Sequence, residues 1–321
     1  MLIYFSVAGM RMTEQEGEGA VSPDQARDIL AHLRTFFGTV DGGAAGSIFS
    51  QLLRSPAGTS DWDVSHVTMS QCALLLVAML HPLLAAGETA CRHGSPVDCC
   101  ADFLGEKELD RWSSSLRRLQ QPSGVCAPTR LDTEGDMRFV YSAVVTHVLT
   151  GSRSNGLDVN AIVDYILRSQ DYSGGFAQGP GLEAHGGSTF CAVASLALLD
   201  RLSALSSRRR RLLINWLADR FASNGTGVQG RANKPSDTCY SFWCGGALQI
   251  LGEYEKIVDT ERVLSFSLDC AGPTGGFGKV PDAYADLLHS YMGLLGVSLA
   301  GEQALQTVNA QLAIPARLNM A

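Results

Sequence analysis

The stretch Gly227-Val-Gln-Gly-Arg-Ala-Asn-Lys-Pro-Ser-Asp-Thr-Cys-Tyr-Ser-Phe-Trp-Cys-Gly-Gly-Ala-Leu-Gln-Ile-Leu251 reads as a glycine turn, a polar loop and then an apolar run. The same order recurs along the chain. Turn signals stand at Ser123-Gly124-Val125, Gly174-Gly175-Phe176, Thr226-Gly227-Val228 and Gly275-Gly276-Phe277. Gly124 to Gly175 is 51 residues, Gly175 to Gly227 is 52, and Gly227 to Gly276 is 49. Self-similarity at such a period marks a repeat architecture. The apolar runs that follow are Tyr141 to Leu149, Phe190 to Leu199, Tyr240 to Leu251 and His289 to Leu299. They lack a polar face, so they are predicted to be helices buried on both sides. Amphipathic runs such as Val159 to Arg168 and Arg211 to Phe221 supply a second, half-exposed helix per unit. Strand signals are nearly absent. The expected fold class is all-α, with helix pairs arranged as an α/α barrel (toroid) or an open solenoid. Every loop precedes an inner helix, so the loops should gather on one rim, where a site can be built from several repeats.

The domain reading is an irregular N-terminal region with helix over 1–60, a repeat domain over 61–301 and a tail over 302–321. Asp41-Gly-Gly-Ala-Ala-Gly46 reads as a linker. The 321 residues are 45% hydrophobic and 18% charged, enough for a large core with part of the surface covered by a partner. A net charge of −7 argues against nucleic-acid binding. The one basic run, Arg208 to Arg211, reads as the wet start of a helix. Nine cysteines, an odd number without a compact framework, point to a reduced, cytoplasmic chain. Leu74 to Ala86 is apolar but broken by His81-Pro82, so it reads as a core helix rather than a stable membrane insertion.

Asp237, Cys239 and His289 offer a carboxylate, a thiolate and an imidazole, the donor types that zinc accepts. Gly227 to Tyr240 and Gly276 to His289 are both 13 residues, so Tyr240 and His289 hold the same place in successive repeats. Arg231, Lys234 and Lys279 lie in the loops of those two units, and His185 in the loop before. Cations beside helix N-termini favour a multiply charged anion. Metal site and anion site together suggest an enzyme that activates a nucleophile and expels a phosphate-type leaving group. The bland alternatives are a capping Asp, a buried Cys, a solvated His, surface cations, and core aromatics at Tyr240 and Trp243.

Gly174-Gly-Phe-Ala-Gln-Gly-Pro-Gly-Leu-Glu-Ala-His-Gly-Gly-Ser-Thr-Phe-Cys191 and Gly230-Arg-Ala-Asn-Lys-Pro-Ser-Asp-Thr-Cys-Tyr-Ser-Phe-Trp243 resemble the β subunits of protein prenyltransferases, above all those of geranylgeranyltransferase type I. The resemblance covers roughly Trp62 to Gly301 and includes Gly275 through His289. It implies an α/α-barrel β subunit in a heterodimer with an α-helical-repeat α subunit. It also implies one zinc ion on Asp237, Cys239 and His289, and a lipid diphosphate held by His185, Arg231, Lys234 and Tyr240. Trp243 and Arg138 would flank the isoprenoid. Lys279 stands where farnesyl relatives carry an aspartate tied to magnesium use, so Mg2+ should be dispensable. Thr68, where the farnesyl enzyme has a bulky Trp, leaves room for a longer chain, and Met292 replaces an aromatic. The implied reaction is transfer of geranylgeranyl from its diphosphate to the cysteine thiol of CaaX-ending proteins, with Lys279 and Tyr240 as catalytic groups. Competing readings are farnesyl transfer, transfer to Rab-type acceptors, and a non-catalytic barrel whose structural zinc takes a fourth ligand from Cys244 or Cys270. A terpene-cyclase-like barrel is disfavoured because no DDxxD or DxDD string occurs.

Overall fold

The computed structural model describes residues 1–14, 20–35, 65–84, 95–221 and 227–316. The linker read at Asp41 to Gly46, Thr226 of the third turn signal and the last residues of the tail lie outside them. The helices among the described residues are α1 (Leu2–Met12), α2 (Pro23–Arg34), α3 (Val67–Leu84), α4 (Pro96–Leu104), α5 (Glu106–Leu119), α6 (Met137–Leu149), α7 (Val159–Arg168), α8 (Gly186–Leu198), α9 (Ser207–Ala218), α10 (Cys239–Leu251), α11 (Tyr254–Ile257), α12 (Thr260–Asp269) and α13 (Leu287–Leu299). One two-residue strand pair, β1 (Val308–Asn309) and β2 (Ile314–Pro315), follows and is antiparallel. The chain is all-α, as the repeat predicted.

Two compact units are present, one built on Val21–Ile162 and one on Leu2–Ala20 with Val163–Arg317. In the first, α3 is the central helix and packs against α2, α4 and α6. Among the described helices only α3 is long and apolar enough to cross a membrane, but Cys72 to Leu80 are all buried in the protein. Each of the larger aliphatic chains there contributes about 1.5–3 kcal/mol by leaving water. In the second unit α8, α10 and α13 stand in sequence, α10 packed against both others. Small residues set that spacing. A Cβ on Gly296 would lie 2.7 Å from the Cβ of Ser241, and one on Gly246 would lie 3.2 Å from the Phe190 ring. The first helix and the last strand pair belong to this unit too: α1 packs on α13, and Tyr4 and Tyr291 both donate to the carbonyl of Ala313.

The outer helices are half-buried as their periodicity requires. In α5 the buried set Leu109, Trp112, Leu116 and Leu119 recurs every three or four residues. In α9 it is Leu213, Trp216 and Leu217. The arginine run opens α9, as expected, but part of it is engaged. Arg209 Nη1 donates to Leu167 O at 2.7 Å, and Arg210 Nη2 to Leu251 O at 2.5 Å. Each satisfies a carbonyl at the end of another helix, which has no partner within its own helix.

Two hydrogen-bond patterns repeat and fix the loops. In the first, Gly124, Gly174 and Gly275 donate to the carbonyls of Gln121, Asp171 and Gly272, closing equivalent turns. All three glycines have left-handed φ, +91°, +110° and +97°. Gly124 therefore matches Gly174, one residue away from the match with Gly175 that spacing suggested. In the second pattern, a side chain just before each inner helix accepts the N–H two residues on. The pairs are His66 with Thr68 (3.2 Å), Asp136 with Arg138 (2.8 Å), His185 with Gly187 (3.1 Å), Asp237 with Cys239 (3.0 Å) and Asp286 with Leu288 (2.9 Å). Capping of this kind draws polar residues into the first turn. That is why each inner helix begins earlier than its apolar run, at Met137, Gly186, Cys239 and Leu287 rather than Tyr141, Phe190, Tyr240 and His289.

Candidate functional site

In α3, α8 and α10 the residue after the cap ties the inner helix to the loop of the next repeat. Val67 N–H donates to Pro128 O at 2.8 Å, Gly186 to Gly230 O at 2.8 Å and Thr238 to Lys279 O at 2.9 Å. Each tie brings the cap of one helix against the residue three after the capping side chain of the next inner helix. Two such junctions lie within the second unit and contain most of the predicted site.

At the α10–α13 junction, donor atoms of Asp237, Cys239 and His289 all lie within 4.8 Å of one another. Asp237 and Cys239 are buried, and the His289 side chain is 13% exposed. His289 Nδ1 lies 2.6 Å from Asp286 Oδ2, a carboxylate that accepts the ring N–H. In the neutral ring the unprotonated nitrogen is then Nε2, and it lies 3.4 Å from Asp237 Oδ1. Two lone pairs face each other there unless a cation lies between them. Burial, then the charge of Asp237, push the Cys239 pKa above its ordinary range. These donors fit a metal ion that holds the thiol as thiolate, and the His289–Asp286 contact is the outer support that ligating histidines usually carry. Partial burial works against ionisation of Asp286. The backbone and ring N–H of His289, with Leu288 N–H, outweigh it and hold the carboxyl below its usual range. Lys279 is largely exposed, its Nζ 3.8 Å from Asp237 Oδ2. Thr238 Oγ1 donates to Gly278 O at 2.7 Å, fixing the loop that carries it.

Cys244 and Cys270 are not part of this cluster. Cys244 Sγ lies 3.9 Å from Gln229 O, and burial pushes its thiol up to about 12. The eight cysteines among the described residues are all buried, and none is in a disulfide.

At the α8–α10 junction, Tyr240 Oη lies 2.8 Å from His185 Nε2. Because His185 Nδ1 accepts from Gly187, the neutral ring donates through Nε2 and leaves the tyrosine O–H to point elsewhere. Burial, then negative charge at Cys239 and Asp237, raise the Tyr240 pKa, while Arg231 works the other way, so the phenol stays a proton donor. Its ring lies in a slot made by two glycines. A Cβ on Gly230 would lie 2.1 Å from Tyr240 Cζ, and one on Gly186 would lie 2.8 Å from Cδ1. Arg231 Nη1 donates to Glu183 Oε2 at 3.0 Å, and Lys234 is exposed on the same loop. Trp243 packs on Phe190 and Phe242, with ring centroids 5.1 and 5.7 Å away. Met292 is buried on α13.

Thr68 and Arg138 belong to the first unit. Thr68 Oγ1 lies 3.2 Å from Ser142 Oγ. Arg138 is exposed and folds back on its own cap, Nη2 to Asp136 Oδ2 at 2.6 Å. Three groups at the two junctions escaped the sequence reading: Asp286, Glu183 and Thr238. Asp286 was findable, since it precedes His289 by the same interval that separates Asp237 from Tyr240.

Residues 1–314 match the family described as the prenyltransferase alpha-alpha toroid domain. The chain belongs to that family. The match extends beyond the 61–301 assigned from repeats, on both sides. Among related proteins, the geranylgeranyl transferase type-1 subunit beta of Arabidopsis thaliana is 36% identical over 85% of this chain and 69% of its own length. The protein of the same description from Dictyostelium discoideum is 30% identical over 79% of this chain and 65% of its own. Among solved structures, the Candida albicans protein geranylgeranyltransferase-I complexed with GGPP superposes with a TM-score of 0.80 over 99% of this chain and 88% of that one. Its identity is 22%, and the likeness is one of fold.

Proposed function

We propose that this chain is the catalytic β subunit of a zinc-dependent protein geranylgeranyltransferase type I. It would move geranylgeranyl from its diphosphate to the cysteine thiol of CaaX-ending proteins. The observation that carries this reading is the placing of three zinc-type donors at one junction and an anion-type set at the next, with Lys279 beside the donors. Relatives of the same description support it. Zinc on Asp237, Cys239 and His289 supplies a Lewis acid that favours the thiolate of an incoming cysteine, whose own pKa near 8.5 would leave it mostly protonated.

The remaining work falls to the chain. His185, Tyr240, Arg231 and Lys234 hold the diphosphate, and Asp286 keeps His289 turned to present Nε2. As sulfur bonds to C1 of the lipid, the C1–oxygen bond breaks and its electron pair goes to the diphosphate. The Tyr240 O–H and the Lys279 ammonium then meet the growing negative charge, where a fixed donor is worth about 3–4 kcal/mol. With an ammonium in that place, Mg2+ is not required. Trp243 and Met292 line the isoprenoid path. The β chain pairs with a prenyltransferase α subunit and works in the cytoplasm, consistent with the unbridged cysteines among the described residues. The regular repeat domain over 61–301 carries the chemistry. The test is coexpression with a candidate α subunit, then mass spectrometry of a CaaX peptide given geranylgeranyl and farnesyl diphosphates together. A geranylgeranyl thioether as the main product supports the reading; a farnesyl product, or none, overturns it.

A further inference from the structure

Arg231 is read above as a diphosphate ligand, yet its guanidinium already has a partner. Nη1 donates to Glu183 Oε2 at 3.0 Å, with side-chain exposures of 41% and 62%. The contact comes from the repeat frame rather than from chance on an open surface. Gly186 N–H bonded to Gly230 O sets the loop bearing Arg231 against the segment that leads into the His185 cap. Glu183 stands two residues before His185, and Arg231 follows directly on Gly230. Arg231 is thus anchored beside the Tyr240 ring, which packs so closely on Gly230 that a Cβ there would lie 2.1 Å from Tyr240 Cζ. It is therefore within electrostatic reach of the His185–Tyr240 pair while bonded to Glu183. An anion at that pair and the Glu183 carboxylate compete for one guanidinium, and two like charges cannot share it without cost.

We propose that Glu183 is a positioning residue that holds Arg231 when the site has no diphosphate and gives it up when diphosphate binds. The idea rests on the reading of this junction as the lipid-diphosphate site. Glu183 thereby sets how tightly the lipid, and the released diphosphate, are held. A carboxylate in this place weakens ligand and product alike, which favours turnover over retention.

The test is equilibrium binding of inorganic diphosphate and of geranylgeranyl diphosphate to the full-length, metal-loaded chain with its copurified partner. Wild type, E183Q, R231Q and the double variant are compared at low and moderate salt. E183Q is expected to bind both probes about two- to tenfold more tightly, the scale of one exposed ion pair plus a relieved repulsion. In the R231Q background the Glu183 substitution should change affinity little, because its effect passes through Arg231. Unchanged or weaker binding by E183Q overturns the proposal, since Glu183 would then be inert or would be presenting Arg231 to the ligand. The same gain with and without Arg231 also overturns it, in favour of general charge repulsion. If wild type binds neither probe, the lipid-diphosphate reading itself fails and this proposal with it, an outcome distinct from wild-type binding that E183Q leaves unaltered.

Discussion

The junctions at α8–α10 and α10–α13 share one backbone frame and differ in what it holds. In both, a cap side chain on one inner helix meets the residue three after the capping side chain of the next. One pair is His185 with Tyr240 at 2.8 Å, the other Asp237 with His289 at 3.4 Å. A third junction, in the other unit, sets His66 against Phe139 with ring centroids 5.9 Å apart. The frame thus accepts an apolar edge contact, a pair of hydrogen-bond donors or a set of metal donors. Chemistry is decided by side chains at two fixed positions and by whether Cys239, two after the cap, adds a third donor. The equivalent residue is Gly187 at the α8–α10 junction and Thr68 at the junction in the other unit.

The contrast breaks most sharply at Cys239. Without its sulfur the α10–α13 junction keeps two donors, no better than its neighbours. Cys239→Ala should lower zinc affinity by more than about 100-fold and abolish turnover, while inorganic diphosphate still binds at the α8–α10 junction. Zinc content after dialysis and diphosphate binding measured on one sample check both halves. Next is Lys279→Ala. It should cut the chemical step by about 10²–10³-fold, or make it magnesium-dependent, with little change in lipid affinity; single-turnover rates with and without Mg2+ measure this.

Asp286→Asn should cost about 10–100-fold in zinc affinity, read by competition with a chelating dye. At the other junction the histidine is the cap itself, and His185 Nδ1 accepts a backbone N–H. The pH dependence follows from the lowered Asp286 carboxyl. A depressed pKa means the contact with His289 is complete above the usual carboxylate range and is lost as pH falls through the lowered value. The His289 ring N–H resonance followed during acid titration tests this. The smallest effect belongs to Gly230→Ala, where a methyl meets the Tyr240 ring. It should cost about 1–3 kcal/mol by denaturant unfolding and weaken diphosphate binding, while zinc affinity holds.

Periodicity gave the all-α repeat and the rim of loops, because inner helices without a polar face and glycine turns leave strong marks. It also put Tyr240 and His289 in register, which is enough to foresee the donor cluster. The turn register was off by one at Gly175, since a Gly-Gly pair does not say which residue takes the left-handed φ. Helix starts were late because a capped first turn is polar and looks like loop. Glu183 and Asp286 were passed over because surface carboxylates are common, and their partners come from tertiary contact. The small residues Gly186 and Gly230 were visible as glycines, but that they shape a slot for one tyrosine ring depends on the cross-repeat bond.

The most direct measurement is zinc K-edge X-ray absorption on the metal-loaded protein, before and after adding a CaaX peptide. One sulfur neighbour alone, from Cys239, rising to two with peptide, is the expected result. Two or more sulfurs from the start, or a count that the peptide leaves unchanged, would contradict a catalytic three-donor centre at Asp237, Cys239 and His289.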